Sequence, residues 1–118
     1  MDAHTDGART SELFPGVMYD MIAMALVSDR PDKSGTKRVR LTQTECSLLD
    51  LFLEEPDMVR TREDIAAHCC EPGAAPVAAC CLVFRLRNKI CAADPFIPRE
   101  ASVVLVRREG YKLGATAH

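Results

Sequence analysis

The stretch Leu41-Thr42-Gln43-Thr44-Glu45 marks the point where the chain changes from a strand pattern to a helix pattern. Residues 38–41 alternate basic and apolar side chains, which is typical of a half-exposed strand. Thr42 and Glu45 have the spacing of a capping box, in which each side chain accepts a hydrogen bond from the other residue's backbone amide. Apolar residues then recur at helical spacing, namely Leu48, Leu49, Phe52 and Leu53. We therefore predict a helix that begins here and ends at Glu55-Pro56.

Two further helices are predicted downstream of the first. The sequence Thr61-Arg62-Glu63-Asp64 has a second capping-box pattern, and Glu71-Pro72-Gly73 ends the short helix that it opens. A third helix is predicted from Pro76 to about Ala92, because proline is favoured in a first helical turn. Its core-facing stripe is spaced by 4, 3 and 4 residues and consists of Ala79, Val83, Leu86 and Ile90.

Strand patterns lie on both sides of the helices. Residues 17–19 and 22–27 are candidate strands, and the Pro, Gly, Asp and Ser content of residues 28–37 indicates a turn. Near the C-terminus, the strand patterns Val103–Val106 and Gly110–Leu113 flank a charged turn, which predicts a β-hairpin. The predicted fold class is α+β, with an N-terminal antiparallel sheet, three helices and a C-terminal hairpin.

Length and composition indicate one globular domain. The chain has 118 residues, 47% of them hydrophobic and 27% charged, and a chain of this size can bury enough surface for a single core. We place the domain at residues 13–114, between a flexible N-terminus at 1–12 and a tail at 115–118. The longest apolar run, residues 21–27, is too short to cross a bilayer, and the N-terminus lacks the charge of a signal peptide. We therefore expect a cytoplasmic protein without a membrane partner.

Charge is unevenly distributed along the chain. The formal net charge is −2, which argues against a protein that coats nucleic acid indiscriminately. Residues 1–36 hold three basic and six acidic side chains, whereas residues 82–118 hold seven basic and three acidic ones. A positive field is therefore expected in the last third of the chain.

The six cysteines lack the C-x2-C spacing that lets two thiolates converge on one zinc ion. They lie within apolar helical patterns, at Cys46, Cys69, Cys70, Cys80, Cys81 and Cys91. We interpret them chiefly as buried structural residues, and leave a redox role and a metal role open as alternatives. No metal site and no cofactor are assigned.

Catalytic patterns are not found in the sequence. The three histidines stand at positions 4, 68 and 118, and no Ser or Cys lies in a nucleophile motif. A Gly-rich phosphate loop is also missing. We therefore expect that the protein is not an enzyme.

Four features, taken in order, resemble the OmpR/PhoB-type winged-helix effector domains of bacterial response regulators. They are Leu41-Thr42-Gln43-Thr44-Glu45 with Leu48-Leu49, Arg62-Glu63, Arg85-Leu86-Arg87-Asn88-Lys89-Ile90 and Gly110-Tyr111-Lys112-Leu113. The resemblance covers about residues 17–113. It implies a winged helix-turn-helix whose third helix enters the DNA major groove and whose hairpin forms the wing. The sequence lacks the receiver domain usual in this family, so we expect a stand-alone regulator.

The resemblance implies a DNA-binding site in the last third of the chain. The expected residues are Arg85, Arg87, Asn88 and Lys89 at the end of the third helix, and Arg107, Arg108 and Lys112 on the wing. Arginine reads guanine with a bidentate fork, and lysine neutralises phosphate. The alternative interpretation is that the helix-end cations form only a solvated face and that the basic hairpin tip only aids solubility.

The front half of the third helix departs from the family pattern. Val77-Ala78-Ala79-Cys80-Cys81-Leu82-Val83 stands where the family usually has Arg-x-Val-Asp-Val-His-Ile. In the wing, Leu105 replaces the usual threonine and Arg108 replaces a glycine. The apolar side chains of this helix predict a partner interface, made of Val77, Cys80, Cys81, Leu82 and Phe84. Its occupant could be a second copy, a different protein or the N-terminal segment of the same chain.

Two functions follow as hypotheses. The first is a transcriptional regulator that binds duplex DNA as a dimer, through the end of its third helix and its wing. The second is a winged-helix interaction module, an adaptor or antagonist, that uses the apolar helix face instead. The loop at 71–75 lies where members of the family can contact RNA polymerase, so RNA polymerase or another regulator is a further candidate partner.

Overall fold

The computed structural model describes residues 10–28 and 37–114. The strands are β1 (Thr10–Phe14), β2 (Val17–Asp20), β3 (Ala25–Ser28), β4 (Lys37–Arg40), β5 (Val103–Val106) and β6 (Gly110–Leu113). The helices are α1 (Gln43–Glu54), α2 (Arg62–Cys69), α3 (Val77–Ala93) and the short α4 (Arg99–Ser102). The predicted order of sheet, three main helices and hairpin is confirmed. The single turn of α4 was not predicted.

The N-terminal sheet turns one face to the helices and the other to solvent. Its four strands are antiparallel, in the order β1-β2-β3-β4. Tyr19, Leu26 and Val39 are cross-strand neighbours on one face, where Tyr19 and Leu26 are fully buried. Arg38 pairs with Val27 on the other face and is exposed. The two-residue period of the strands therefore separates core side chains from solvent-facing cations.

The structure corrects the N-terminal boundary of the domain. Residues 10–12, which the sequence placed in the N-terminal segment, belong to β1. Ser11 pairs with Tyr19 and Glu12 with Met18, and this pairing orders polar residues that have no helical or strand pattern of their own. The remaining parts of the predicted tails, 1–9 and 115–118, lie outside the described residues.

The strand predicted at 22–27 begins three residues later, at Ala25. Oδ1 of Asp20 accepts hydrogen bonds from the amides of Ile22 and Ala23, each at 3.1 Å, and closes a turn. Met24 completes the turn at φ +55°. A short acidic side chain therefore overrides the apolar pattern that follows it, because it satisfies local amides that a strand would pair. The turn predicted at 28–37 falls largely outside the described residues.

Side-chain caps start the first two helices as predicted. The amide of Glu45 donates to Oγ1 of Thr42 at 3.2 Å, and Oε1 of Glu45 accepts from the amide of Thr42 at 2.9 Å, so the first capping box is confirmed. Oγ1 of Thr61 accepts from the amide of Asp64 at 3.0 Å. The return bond of the second box is absent from the described hydrogen bonds, because an aspartate is one methylene shorter than the glutamate of a capping box.

The core lies between the sheet, α1 and α3. The predicted stripe on α3 is confirmed, because Ala79, Val83, Leu86 and Ile90 are all at most 1% exposed. Leu82 belongs to the same buried surface. On α1, Leu48, Leu49 and Phe52 are completely buried. Among the described residues, no helix combines the length and apolar character needed to cross a membrane.

The hairpin of β5 and β6 is held against the segment that precedes α2. Arg60 and Tyr111 exchange two backbone hydrogen bonds, at 2.8 and 2.9 Å. Gly110 has φ +147°, and a Cβ at this position would overlap the carbonyl oxygen of Arg60. Glycine is therefore required where the hairpin meets the helical part of the domain.

Candidate nucleic-acid interface

One face of α3 is not covered by any other part of residues 10–28 and 37–114. It carries residues at intervals of four, three, one and three positions, which place them on one stripe of the helix: Val77, Cys81, Phe84, Arg85 and Asn88. The first four are exposed, with Val77 at 64% and Phe84 at 57%. Asn88 is half-buried, and its Oδ1 is a buried atom that makes no hydrogen bond with the described residues. We call these five residues the reading stripe.

Arg85 is the cation of this stripe. Its side chain is exposed, and it lines a groove of about 570 Å³ between the end of α2 and the first half of α3. Arginine on an exposed helix face can reach base edges or phosphates of a duplex. The structure therefore leaves Arg85 available for the role predicted for it.

Arg87 lies on a different face of α3 and binds the hairpin. Its Nε and Nη2 both donate to the carbonyl oxygen of Val103, at 3.0 and 2.6 Å. Its guanidinium lies 5.9 Å from the ring centroid of Tyr111. Two guanidinium N–H groups are directed inward at Val103, which gives Arg87 a structural contact; its contact with DNA remains a prediction.

Lys89 is also engaged within the domain. Its Nζ lies 2.9 Å from Oε1 of Glu45, which is 1% exposed, and donates to the carbonyl oxygen of Arg40 at 2.9 Å. A buried carboxylate needs a charged partner, because burial removes the water that would solvate it. Lys89 therefore neutralises the capping glutamate of α1 in this structure, and its contact with phosphate remains a prediction.

The tip of the hairpin carries two exposed cations, Arg107 and Arg108. Arg108 has φ +65°, in the left-handed region that favours glycine. This is the position where the family resemblance places a glycine. Lys112, the third cation predicted for the wing, is half-buried on β6. Two of the three predicted wing cations are therefore exposed at the tip.

A cleft separates the hairpin from the start of α2. It is lined on the helix side by Thr61, Arg62 and Glu63, and on the hairpin side by Leu105, Arg108, Glu109, Gly110 and Tyr111. Arg62 and Arg108 are exposed cations on opposite walls of this cleft. Arg62 was predicted only to belong to the Arg62-Glu63 motif of the family and was not predicted to be a site residue. The signal that could have identified it as a site residue is its place directly after the cap Thr61, at the N-terminus of a helix that faces the wing.

Two members of the predicted partner interface are not available for one. Leu82 is 1% exposed and packs in the core. Cys80 is half-buried, and its Sγ accepts a hydrogen bond from the hydroxyl of Tyr111 at 3.6 Å. The interface prediction is therefore corrected to the exposed members Val77, Cys81 and Phe84. The helical period places Leu82 and Cys80 on either side of the stripe. Apolar character alone does not distinguish these two residues from the exposed members of the stripe.

Three cysteines line the groove beside Arg85, namely Cys69, Cys70 and Cys81. Burial raises the pKa of the Cys69 thiol to about 11, with a further contribution from Cys70. Cys46 is buried in the core, where desolvation raises its pKa. The described part of the chain contains no group of three or more Cys, His, Asp or Glu side chains placed to hold a metal ion.

Solved structures of response-regulator DNA-binding domains resemble this fold. The AdeR DNA-binding domain, in complex with an intercistronic region, is 22% identical at a TM-score of 0.69, and the match covers 88% of this chain and 99% of that domain. DrrB of Thermotoga maritima, an OmpR/PhoB homologue, is 21% identical at a TM-score of 0.69, with 97% of this chain and 48% of DrrB covered. The RstA DNA-binding domain of Klebsiella pneumoniae, in complex with the RstA box, is 16% identical at a TM-score of 0.62, with 90% and 97% covered.

No protein-family model matches the sequence, and no curated protein does so. Identities of 16% to 22% establish the fold alone. The chain therefore has the winged-helix fold of OmpR/PhoB-type DNA-binding domains, over most of its length.

Proposed function

We propose that the protein is a transcriptional regulator that binds duplex DNA through the reading stripe of α3 and the tip of the hairpin. The observation that carries this proposal is the exposed stripe of α3 with Arg85 on it. Three further exposed cations lie at the start of α2 and at the hairpin tip, namely Arg62, Arg107 and Arg108. A recognition helix in the major groove with flanking phosphate contacts is the docking mode of helix-turn-helix proteins.

These four exposed arginines are assigned different contacts with the duplex. Arg85 lies on α3, so it contacts a base edge or a phosphate within the major groove. Arg62, at the start of α2, and Arg107 and Arg108, at the hairpin tip, contact the backbone on either side. Arg87 and Lys89 act indirectly, because they hold the hairpin and the capping glutamate in place.

The test is a titration of labelled duplex DNA followed by fluorescence anisotropy at several salt concentrations. The logarithm of the binding constant falls linearly with the logarithm of the salt concentration, and each lost phosphate contact makes this dependence less steep by about 0.9. We expect Arg85→Ala to weaken binding and Arg107→Ala to reduce the slope by about one contact. Arg38→Ala is the matched control, because Arg38 is also an exposed arginine but lies on the outer face of the sheet. Equal effects of Arg85→Ala and Arg38→Ala would contradict the proposed site.

We also propose that two copies bind together on DNA. The domain is small, and one reading stripe covers only a few base pairs, so a pair of copies on adjacent half-sites would extend the sequence that is read. Light scattering of the protein with and without a duplex determines the stoichiometry. A mass that corresponds to one copy per selected site would contradict this part of the proposal.

The second candidate function is a protein-interaction module. It is favoured by the exposed apolar side chains Val77, Cys81 and Phe84 on the same stripe. A change of Phe84→Asp would then abolish a self-association that light scattering detects, in the absence of DNA. A protein that is monomeric without DNA, and whose mass is the same before and after this change, would count against self-association.

A further inference from the structure

We propose that Val77, Cys81 and Phe84 contact the C5-methyl groups of thymines in the major groove, so that the protein selects a thymine-rich sequence beside a guanine read by Arg85. This inference rests on the proposed DNA binding and specifies what the reading stripe recognises. Its basis is the unusual chemistry of the stripe, in which exposed apolar side chains stand where a base-reading helix usually carries hydrogen-bonding groups.

The spacing of the three apolar residues matches the spacing of bases. Val77 and Phe84 are seven positions apart, which corresponds to about 10 Å along a helix at 1.5 Å per residue. Successive bases of one strand are about 3.4 Å apart. Val77, Cys81 and Phe84, which we call the row, therefore span about three base steps. Each of these side chains can face the methyl group of a different base pair.

The chemistry of the row fits thymine better than the other bases. The thymine methyl is the one apolar group that the major-groove edges present, and small apolar side chains and phenylalanine contact it. Val77, Cys81 and Phe84 offer no strong hydrogen bond to the amino, carbonyl or ring-nitrogen groups of the other edges. Every base pair loses water from its polar edge groups at such a contact, and only thymine offsets part of that cost by burying its methyl group.

The surroundings of the row favour DNA over a second protein. A stable protein interface buries about 800 Å² on each partner and involves about 20 to 30 residues, whereas this row consists of three partly exposed side chains. Arg85 adjoins Phe84 on the same stripe. An arginine beside these apolar side chains suits a duplex, which offers phosphates, guanine edges and methyl groups together.

The remaining polar member of the stripe is Asn88, whose Oδ1 is buried and without a hydrogen bond among the described residues. An adenine pair needs both the amide oxygen and the amide nitrogen at the base edge, so the buried Oδ1 leaves Asn88 without a base contact of this kind. The expected motif therefore consists of thymines beside the guanine that Arg85 contacts.

The experiment begins with selection of binding duplexes from a random pool, followed by substitution of uracil for each selected thymine. Uracil lacks only the C5-methyl group, so base pairing is preserved. Loss of one buried methyl is expected to weaken binding about fourfold. Uracil at thymines outside the selected motif is the internal control and should leave the affinity unchanged.

A protein variant assigns the contact to its residue. Phe84→Ala should remove the difference between thymine and uracil at one position of the site and leave it at the others. Phe96→Ala is the matched control, because Phe96 is 65% exposed in the segment after α3 and is absent from the reading stripe. Circular dichroism and thermal unfolding verify that both variants are folded.

The outcomes separate this inference from the proposed function. Salt-dependent binding with a selected motif that lacks thymines, or with no effect of uracil, overturns the inference while DNA binding stands. The absence of any binding to duplex DNA overturns both. A change in self-association on Phe84→Ala without any effect of uracil overturns the inference in favour of an interface with a second copy.

Discussion

Arg87 fastens the hairpin to α3 by directing two donors, Nε and Nη2, at the carbonyl oxygen of Val103, at 3.0 and 2.6 Å. Val103 is the first residue of β5, and the same guanidinium lies over the ring of Tyr111 on β6. Tyr111 in turn donates to Sγ of Cys80 on α3 and shares two backbone bonds with Arg60. Both strands of the hairpin are therefore tied to the helix that carries the reading stripe.

The first prediction concerns this tie. Arg87→Ala is expected to reduce the free energy of unfolding by about 1.5 to 3 kcal/mol, the contribution of hydrogen bonds that involve a charged group. Arg87→Lys should recover only part of the loss, because an ammonium group cannot reproduce the planar fork. Urea denaturation of the three proteins measures the difference. Arg87→Ala with wild-type stability and weaker DNA binding would instead support a direct DNA contact.

The second prediction concerns the pair of Lys89 and Glu45. Lys89→Met removes the partner of a carboxylate that is 1% exposed and is expected to lower stability by about 1 to 3 kcal/mol. The double change Lys89→Met with Glu45→Gln should be more stable than the single change, because no uncompensated charge remains. Chemical denaturation tests this order. The slope of the logarithm of the binding constant against the logarithm of the salt concentration should be the same for Lys89→Met as for wild type. A smaller slope for the variant would indicate that Lys89 contacts a phosphate.

The third prediction separates strain from charge at the hairpin tip. Arg108 adopts φ +65°, which costs a residue with a Cβ about 1 kcal/mol or more. Arg108→Gly should therefore leave stability unchanged or raise it slightly, since the relief of strain opposes the greater freedom of the unfolded chain. DNA binding should weaken at the same time. Arg108→Ala, which removes the charge and keeps the strain, should weaken DNA binding equally and be the less stable of the two in thermal unfolding.

The fourth prediction concerns pH. Burial raises the pKa of Cys69 from a usual value of 9.0 to about 11, so the folded state holds this proton more tightly than the unfolded chain does. The resulting stabilisation is complete below pH 9 and is lost as the pH rises towards 11. Urea denaturation at both ends of this range should show a larger loss for wild type than for Cys69→Ala. Equal losses would mean that Cys69 titrates alike in both states.

Local signals in the sequence were sufficient for most of the element boundaries. The capping box at Thr42 and Glu45, the stripe of Ala79, Val83, Leu86 and Ile90, and both hairpin strands are in place as predicted. These features depend on residues within one or two turns of each other, so their energetics can be evaluated from neighbours alone. The start of β3 was wrong because the hydrogen bonds of Asp20 compete with the apolar pattern of residues 22–24.

The candidate site was less predictable, because its membership depends on where each side chain finds a partner. Cys80, Leu82 and Phe84 have similar apolar character, but one bonds to Tyr111, one lies in the core and one is exposed. Arg62, which adjoins the wing cleft, comes from a helix far from the basic third of the chain. Only the long-range backbone pairing of Arg60 with Tyr111 brings the start of α2 beside the wing.

The sequence by itself determined the order of the elements, their caps and the buried stripe of α3, since these follow from spacing and local hydrogen bonding. The tertiary structure decided which cations remain free to bind. Arg87 bonds to a carbonyl 16 positions away and Lys89 to a carboxylate 44 positions away, whereas Arg85 on the next face is exposed. Contacts between residues this far apart in the sequence depend on long-range packing, so spacing alone does not show which cations are held within the domain.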